Sequence, residues 1–215
     1  MKTYLLSLIF TSLVLATGDS AVISSPMGGA DQGDLFNQTY SFPQIVSAYG
    51  DPLNRIADDF ILSANNSLWK IVIWTCYNGT QPLPDHFALE ILLDNGDVDP
   101  STASPIWQEW LPCTRVDTGD NFIGRDIYET VFFASSPPAL EAGERYWLSV
   151  QIPSGYAAPY VMVKNNEFDS VVWVKESSWK TSEEQFGHTT DMFFDLYSVS
   201  SSMEGISWAS VKTSF

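Results

Sequence analysis

Apolar and polar residues alternate with a period of two along much of the chain. Between residues 86 and 93, Phe87, Leu89 and Ile91 fall on one side of an extended backbone, and Glu90 falls on the other. This period is typical of a β-strand with one buried face. Similar patterns predict further strands at residues 59–62, 68–77, 106–111, 127–134, 145–152, 161–164, 170–175 and 191–198. No segment keeps a helical period of 3.6 residues.

Turn-forming residues separate these segments. Clusters of asparagine, aspartate and glycine follow the predicted strands, as at residues 65–67 and 94–97. Many short strands divided by such turns predict an all-β fold, an antiparallel β-sandwich of the jelly-roll type. We place this domain at residues 55–200. An irregular lead-in at 19–54, with room for one short strand, precedes it, and a C-terminal tail at 201–215 follows.

The N-terminus has the pattern of a secretory signal peptide. Lys2 supplies a positive charge, residues 4–16 are predominantly apolar, and Ala16 and Gly18 are small residues at which cleavage can occur. We therefore predict a signal peptide at residues 1–18 and a secreted, extracellular protein. The apolar run is short for a membrane span, so we expect no stable span after cleavage. An uncleaved anchor or a buried strand is the alternative.

Acidic residues greatly outnumber basic ones. The 215-residue chain carries 26 Asp and Glu against 10 Lys and Arg, which gives a formal charge of −16. This balance argues against nucleic acid as a partner, because its phosphates require a basic footprint. It also argues against electrostatic attachment to anionic lipid. Solubility is a sufficient explanation of the charge, and the alternative is that some carboxylates hold Ca²⁺.

One turn contains a candidate calcium site. Asp94, Asp97 and Asp99 have the spacing of two or three oxygen ligands. The EF-hand pattern is absent, because it requires glycine at the sixth position and glutamate at the twelfth, where this chain has Asp99 and Pro105. Ca²⁺ is the one cofactor that the sequence leaves open, and an ordinary hairpin turn explains the same residues.

The chain contains two cysteines, Cys76 and Cys113. An even number of cysteines in an exported protein predicts a disulfide between them. Two free, buried thiols are the alternative.

Several segments together resemble a module of secreted bacterial proteins. Residues 56–63 resemble its ADDFTLS opening, residues 69–74 its WTITSVTW strand, residues 140–150 its tyrosine- and tryptophan-containing strand, and residues 191–197 its DLAFQLYG closing strand. The module is common in proteins that carry a PEP-CTERM sorting tail, and the match spans residues 55–198. The resemblance implies an extracellular β-sandwich without assigned catalytic residues. This chain shows no Pro-Glu-Pro tail motif, so we expect free secretion.

Catalytic patterns are weak. His86 and His188 stand outside any zinc-binding motif, and no serine lies in a nucleophile elbow. A carboxylate pair could hydrolyse glycosidic bonds, but the spacing brings no two acids together. An enzyme is therefore the less favoured hypothesis. The acids on or beside predicted strands are Glu90, Glu109, Asp126, Glu129 and Asp195.

Aromatic residues are the most informative excess in the composition. The chain has 8 Trp, 9 Tyr and 13 Phe, and an exposed aromatic ring can stack on the apolar face of a sugar. Trp147 is expected on the face opposite to Tyr146 and Leu148. Packing within the core is the alternative for each ring. The candidate ligand-binding residues are Trp107, Trp110, Trp147, Trp173 and Trp179.

Three functional hypotheses follow. The first is a non-catalytic binding module for a polysaccharide or other glycan, which predicts an exposed aromatic cluster. The second is a structural or adhesive protein of an extracellular matrix or envelope, which predicts an exposed strand edge and self-association. The third is a secreted glycoside hydrolase with two facing carboxyls.

Overall fold

A computed structural model describes most of the predicted domain. The predicted signal peptide at 1–18 and the tail at 201–215 lie outside the described residues. The described residues are 34–38, 45–49, 55–78, 83–151, 158–165 and 172–198.

Within these ranges the chain forms fifteen strands and one short helix. The strands are β1 (Asp34–Asn37), β2 (Ile45–Tyr49), β3 (Arg55–Ile61), β4 (Asn66–Asn78), β5 (His86–Leu93), β6 (Ser104–Pro112), β7 (Thr114–Phe122), β8 (Arg125–Phe133), β9 (Ala139–Leu140), β10 (Arg145–Gln151), β11 (Ala158–Asn165), β12 (Trp173–Lys175), β13 (Trp179–Thr181), β14 (Thr190–Met192) and β15 (Phe194–Ser198).

The strands pair antiparallel in two sheets. The six-stranded sheet has the order β13-β12-β3-β10-β5-β6. The nine-stranded sheet follows the path β1-β15-β4-β11-β14, with β2 paired to β11, β8 lying between β4 and β7, and β9 paired to β4. The predicted all-β sandwich is confirmed, whereas the jelly-roll connectivity stays a prediction.

The main core lies between the two sheets. It includes Ile71 and Leu196 from the nine-stranded sheet, and Phe87, Leu89 and Val150 from the six-stranded sheet, all fully buried. Alternation along β5 and β10 points these side chains inward, as the period of two predicts. The opposite side of each strand faces outward, so the outer faces are the surfaces on which a site can lie.

The structure contains several elements that the sequence patterns do not predict. Two strands, β1 and β2, lie in the range expected to be an irregular lead-in with at most one strand. Strand β7 is half-exposed along both faces and therefore lacks a clear alternation. The helix α1 (Ser182–Phe186) has five residues, begins at a Thr181–Glu184 capping box and ends at Gly187. In the described part of the chain, no helix combines the length and apolarity needed to cross a membrane.

The predicted disulfide between Cys76 and Cys113 is wrong, since both are free thiols. Cys76 is buried in a cluster with Val72 and Met162 on the outer face of the nine-stranded sheet. Cys113 packs instead against the core between the sheets. The two side chains therefore lie on opposite sides of the nine-stranded sheet, which the spacing of the cysteines could not indicate.

The two aspartates of the segment 56–63 have separate roles. Asp58 points into the interior, where its Oδ2 accepts a hydrogen bond of 2.7 Å from the backbone N–H of Met192. Asp59 points to the outer face and forms an ion pair with Arg145. Asp58 thereby joins strand β3 to strand β14.

Candidate functional site

The outer face of the six-stranded sheet carries most of the predicted tryptophans. We call this surface the tryptophan face and define it by Trp110, Trp147, Trp173 and Trp179. Directly paired residues in neighbouring strands point to the same side of a sheet. One such row crosses all six strands and consists of Trp110, Ala88, Gln151, Arg55, Lys175 and Trp179. Trp110 and Trp179 thus lie on the two edge strands of one surface.

Trp147 forms the floor of the tryptophan face. It lies on the side opposite to Tyr146 and Leu148, as predicted, but it is 0% exposed. Trp173 covers it edge-to-face, with ring centroids 6.4 Å apart. The indole Nε1–H donates to Asp94 Oδ1 at 3.3 Å. Trp147 therefore cannot offer a stacking face to a ligand, and its role is to support the rings above it.

The other tryptophans of this face reach solvent to different degrees. Trp173 and Trp179 are half-buried and pack around the Trp147 cluster, and the Lys175 ammonium lies 5.6 Å from the Trp179 ring centroid. Trp110 is 56% exposed, and it lies parallel to the His86 ring, with planes within 3° and centroids 6.5 Å apart. Trp110 is therefore the ring with the most accessible surface.

Trp107 is on the other side of β6. It is 8% exposed and packs in the core between the sheets. Its Nε1–H donates to Glu109 Oε1 at 3.1 Å. The same carboxylate accepts hydrogen bonds from the backbone N–H groups of Ser135 and Ser136 at 2.9 and 2.8 Å. Trp107 is thus a structural residue that helps to connect the edge strand β6 to the loop after β8.

Charged and polar groups stand between the tryptophans. Arg55 forms an ion pair with Glu90, and the Ser149 hydroxyl donates to Glu90 Oε2 at 3.3 Å. Burial raises the pKa of Asp59 although its ion pair with Arg145 opposes the shift. These pairs hold long side chains in fixed positions on the sheet, which provides hydrogen-bonding groups beside flat aromatic surfaces.

The predicted calcium ligands have structural partners. Asp94 Oδ2 accepts from the Gly96 N–H at 3.1 Å, and its other oxygen accepts from the Trp147 indole. Asp99 Oδ1 accepts from the Ser101 N–H at 2.6 Å. Asp97 is exposed. Across the described ranges, no group of three His, Cys, Asp or Glu side chains is arranged to hold a metal ion. Calcium binding here stays a prediction without geometric support.

The fold does bring two carboxylates together, but they are enclosed. Asp58 and Asp191 are both 0% exposed. Burial raises the pKa of Asp58 well above its usual value, and the charge of Asp191 adds a smaller increase. A polysaccharide cannot reach this pair, so it does not support the hydrolase hypothesis. Its position between β3 and β14 gives it a structural role.

The partners of the tryptophans could not be predicted from local sequence patterns. His86 lies outside any zinc-binding motif, and no pattern in the sequence shows that it stacks on Trp110. Arg55 and Gln151 share the row that joins Trp110 to Trp179. The signal that could have found them is strand register, because residues on neighbouring strands meet only once their pairing is known.

Comparisons with known proteins do not assign this chain to a family. No protein-family model matches the chain, and no curated protein is significantly similar to it in sequence.

Proposed function

We propose that this protein is a non-catalytic glycan-binding module and that the tryptophan face is its binding surface. The observation that carries the proposal is Trp110, a large ring more than half exposed and backed by the parallel ring of His86. Burying an aromatic face contributes much to binding, so an exposed ring of this size offers a ready contact surface. A sugar ring has an apolar face that matches it.

The shape of the surface favours a long ligand. Trp110 and Trp179 stand on opposite edge strands of six, which places them about 24 Å apart at about 4.8 Å per strand. A single sugar cannot contact both rings, whereas an oligosaccharide that crosses the strands can. Gln151 and Arg55 lie in the row between the two rings and can donate hydrogen bonds to sugar hydroxyls.

The experiment is calorimetric titration with soluble oligosaccharides of increasing length, after a screen on insoluble polysaccharides. We expect Trp110→Ala and Trp179→Ala each to weaken binding by about tenfold or more, the effect of losing an aromatic anchor. Phe186→Ala is the matched control, because Phe186 is an exposed aromatic on α1 outside this face. Wild-type affinity in both tryptophan variants, or an equal loss in the control, would refute the proposal.

A second candidate is a structural or adhesive role, and the open edges of the sandwich favour it. Among the described strands, β6 pairs only with β5 and β7 only with β8. Ile106 on β6 and Val116 on β7 are 43% and 57% exposed. Unpaired edges with apolar side chains can add a further strand. Concentration-dependent self-association in sedimentation experiments, together with no response to any glycan, would favour this role.

A further inference from the structure

A pocket lies apart from the tryptophan face, at the tip of the β7–β8 hairpin. It is an open depression with a volume of about 400 Å³, which is within the usual range of small-ligand sites. We call it the tyrosine pocket. The lining residues that matter here are Tyr77, Leu83, Ile123, Arg125, Asp126 and Tyr128.

One wall of the tyrosine pocket is aromatic and rigid. Tyr77 and Tyr128 meet edge-to-face, with centroids 5.8 Å apart. The Tyr77 hydroxyl accepts hydrogen bonds from Arg115 Nε–H at 2.7 Å and from the Thr75 hydroxyl at 3.1 Å. These bonds fix the ring before any ligand arrives. A preformed wall of this kind lowers the ordering entropy that binding must overcome.

The rim combines a donor and an acceptor. The Arg125 guanidinium lies 5.3 Å from the Tyr160 ring centroid, and within the described residues it forms no ion pair. From the described part of the chain, the Asp126 carboxylate accepts only a long hydrogen bond of 3.5 Å, from Asn121. Arginine can only donate and an ionised aspartate can only accept. Sugar hydroxyls do both, so they can bind to both rim groups, whereas an anionic ligand would face the Asp126 charge.

The hairpin tip breaks a local rule. Ile123 and Gly124 have φ angles of +52° and +76°, as in a type I′ turn, whose first position favours asparagine, aspartate or glycine. A β-branched residue is strained in this region, and Ile123 is 77% exposed. Its packing within the fold therefore does not explain its presence. Backbone strain of this kind is often found at functional sites.

We propose that the tyrosine pocket binds one neutral sugar residue, with Ile123 and the two tyrosines against its apolar face and Arg125 and Asp126 on its hydroxyls. This inference rests on the proposed function for the class of ligand. The pocket is joined to Trp110 through residues 83–86, since Leu83 lines it and His86 stacks on Trp110. These four residues span at most about 11 Å, so one glycan can contact both places.

The first test replaces the strained residue. Ile123→Asn is expected to raise the melting temperature by about 2–4 °C, because asparagine tolerates the left-handed conformation. The same variant is expected to weaken oligosaccharide binding at least about fivefold. Val116→Asn is the matched control, because Val116 is an exposed β-branched residue on the same hairpin but outside the pocket. The control should leave affinity unchanged and should not raise the melting temperature.

The second test reads the pocket directly. Neutral monosaccharides are titrated while the backbone amide signals of Ile123 and Gly124 are followed by NMR, with Gly143 in a distant turn as reference. Saturable shifts at the hairpin tip alone support the inference, and stronger shifts with uronic acids overturn its neutral ligand. Shifts at the tip, without any effect of Trp110→Ala on polysaccharide binding, would refute binding at the tryptophan face and support binding in the pocket. Loss of binding in Trp110→Ala, with no shifts at the tip and unchanged affinity in Ile123→Asn, would support the tryptophan face and refute the pocket.

Discussion

Trp147 provides the sharpest test of how the tryptophan face is built. It is the largest fully buried side chain in the outer cluster of the six-stranded sheet, and it lies beneath Trp173. If Trp147 is a support, its removal must affect the folded state first. If Trp110 is a ligand contact, its removal must affect binding and leave the fold intact. The two substitutions therefore separate the two roles.

The expected magnitudes differ widely. Trp147→Ala leaves a cavity under Trp173, and fully buried Trp→Ala changes cost about 3–5 kcal/mol. Trp147→Phe keeps an aromatic ring but removes the N–H that bonds Asp94 at 3.3 Å. This bond is long, so its loss should cost near the low end of charged hydrogen bonds, about 1.5 kcal/mol. The smaller ring also leaves part of the buried indole's space unfilled, which adds to the loss. Trp110→Ala removes an exposed ring and should cost less than about 1 kcal/mol.

The assay is urea unfolding followed by far-UV circular dichroism, which does not depend on the tryptophan signal that the variants lose. The unfolding slopes of the variants must match the wild type before the free energies are compared. Trp147→Phe should retain glycan affinity within about twofold, because the buried ring does not contact the ligand. A twofold change in affinity corresponds to about 0.4 kcal/mol. A Trp147→Ala variant as stable as Trp110→Ala would show that burial of Trp147 does not hold the face together.

Two further predictions concern buried groups. Burial and the Asp191 charge raise the pKa of Asp58 in the folded state, so the native protein keeps a proton that the unfolded chain releases, and stability should fall as pH rises above about 4. Asp58→Asn should flatten this dependence by up to about 1.4 kcal/mol per pH unit in urea titrations, and an unchanged slope would contradict the assignment. Burial raises the pKa of the Cys76 thiol to about 11, and Cys113 is half-buried, so a thiol reagent should label Cys113 first in the native protein. Both should react in denaturant without reductant, and fewer than two reactive thiols would disprove the free state.

The fold class could be predicted because each strand carries its own signal. The alternation along β5 and β10 follows from burial of one face, a property of each strand alone. It also placed Trp147 on the correct side of its strand, opposite to Leu148. Whether an outward side is exposed depends on what neighbouring strands place above it. Trp173 covers Trp147 from a strand two positions away in the sheet, and no local pattern contains that information.

Register and crossover account for the other differences. His86 meets Trp110 because β5 and β6 pair with Ala88 opposite Trp110, and a shift of one residue would separate the two rings. Cys76 and Cys113 lie on opposite sides of a sheet because the chain passes from the six-stranded sheet into the nine-stranded sheet between β6 and β7. The polar composition of β7 also hid a strand, since both of its faces are half-exposed.

Asp58, Trp110 and Ile123 each break a local rule, as Val98 does with a φ of +54° in the turn after β5, and the places where such rules fail are expected to be functional or strained. Asp58 is an ionisable residue in the core, and the hydrogen bond that it accepts from the Met192 N–H explains it as a link between strands. Trp110 and Ile123 have no comparable structural explanation, because both are large, apolar and exposed. Residues 83–86 connect the two places. His86 stacks on Trp110, and Leu83 lines the same pocket as Ile123. Two unexplained apolar residues beside one short segment favour a single binding region at this end of the sandwich.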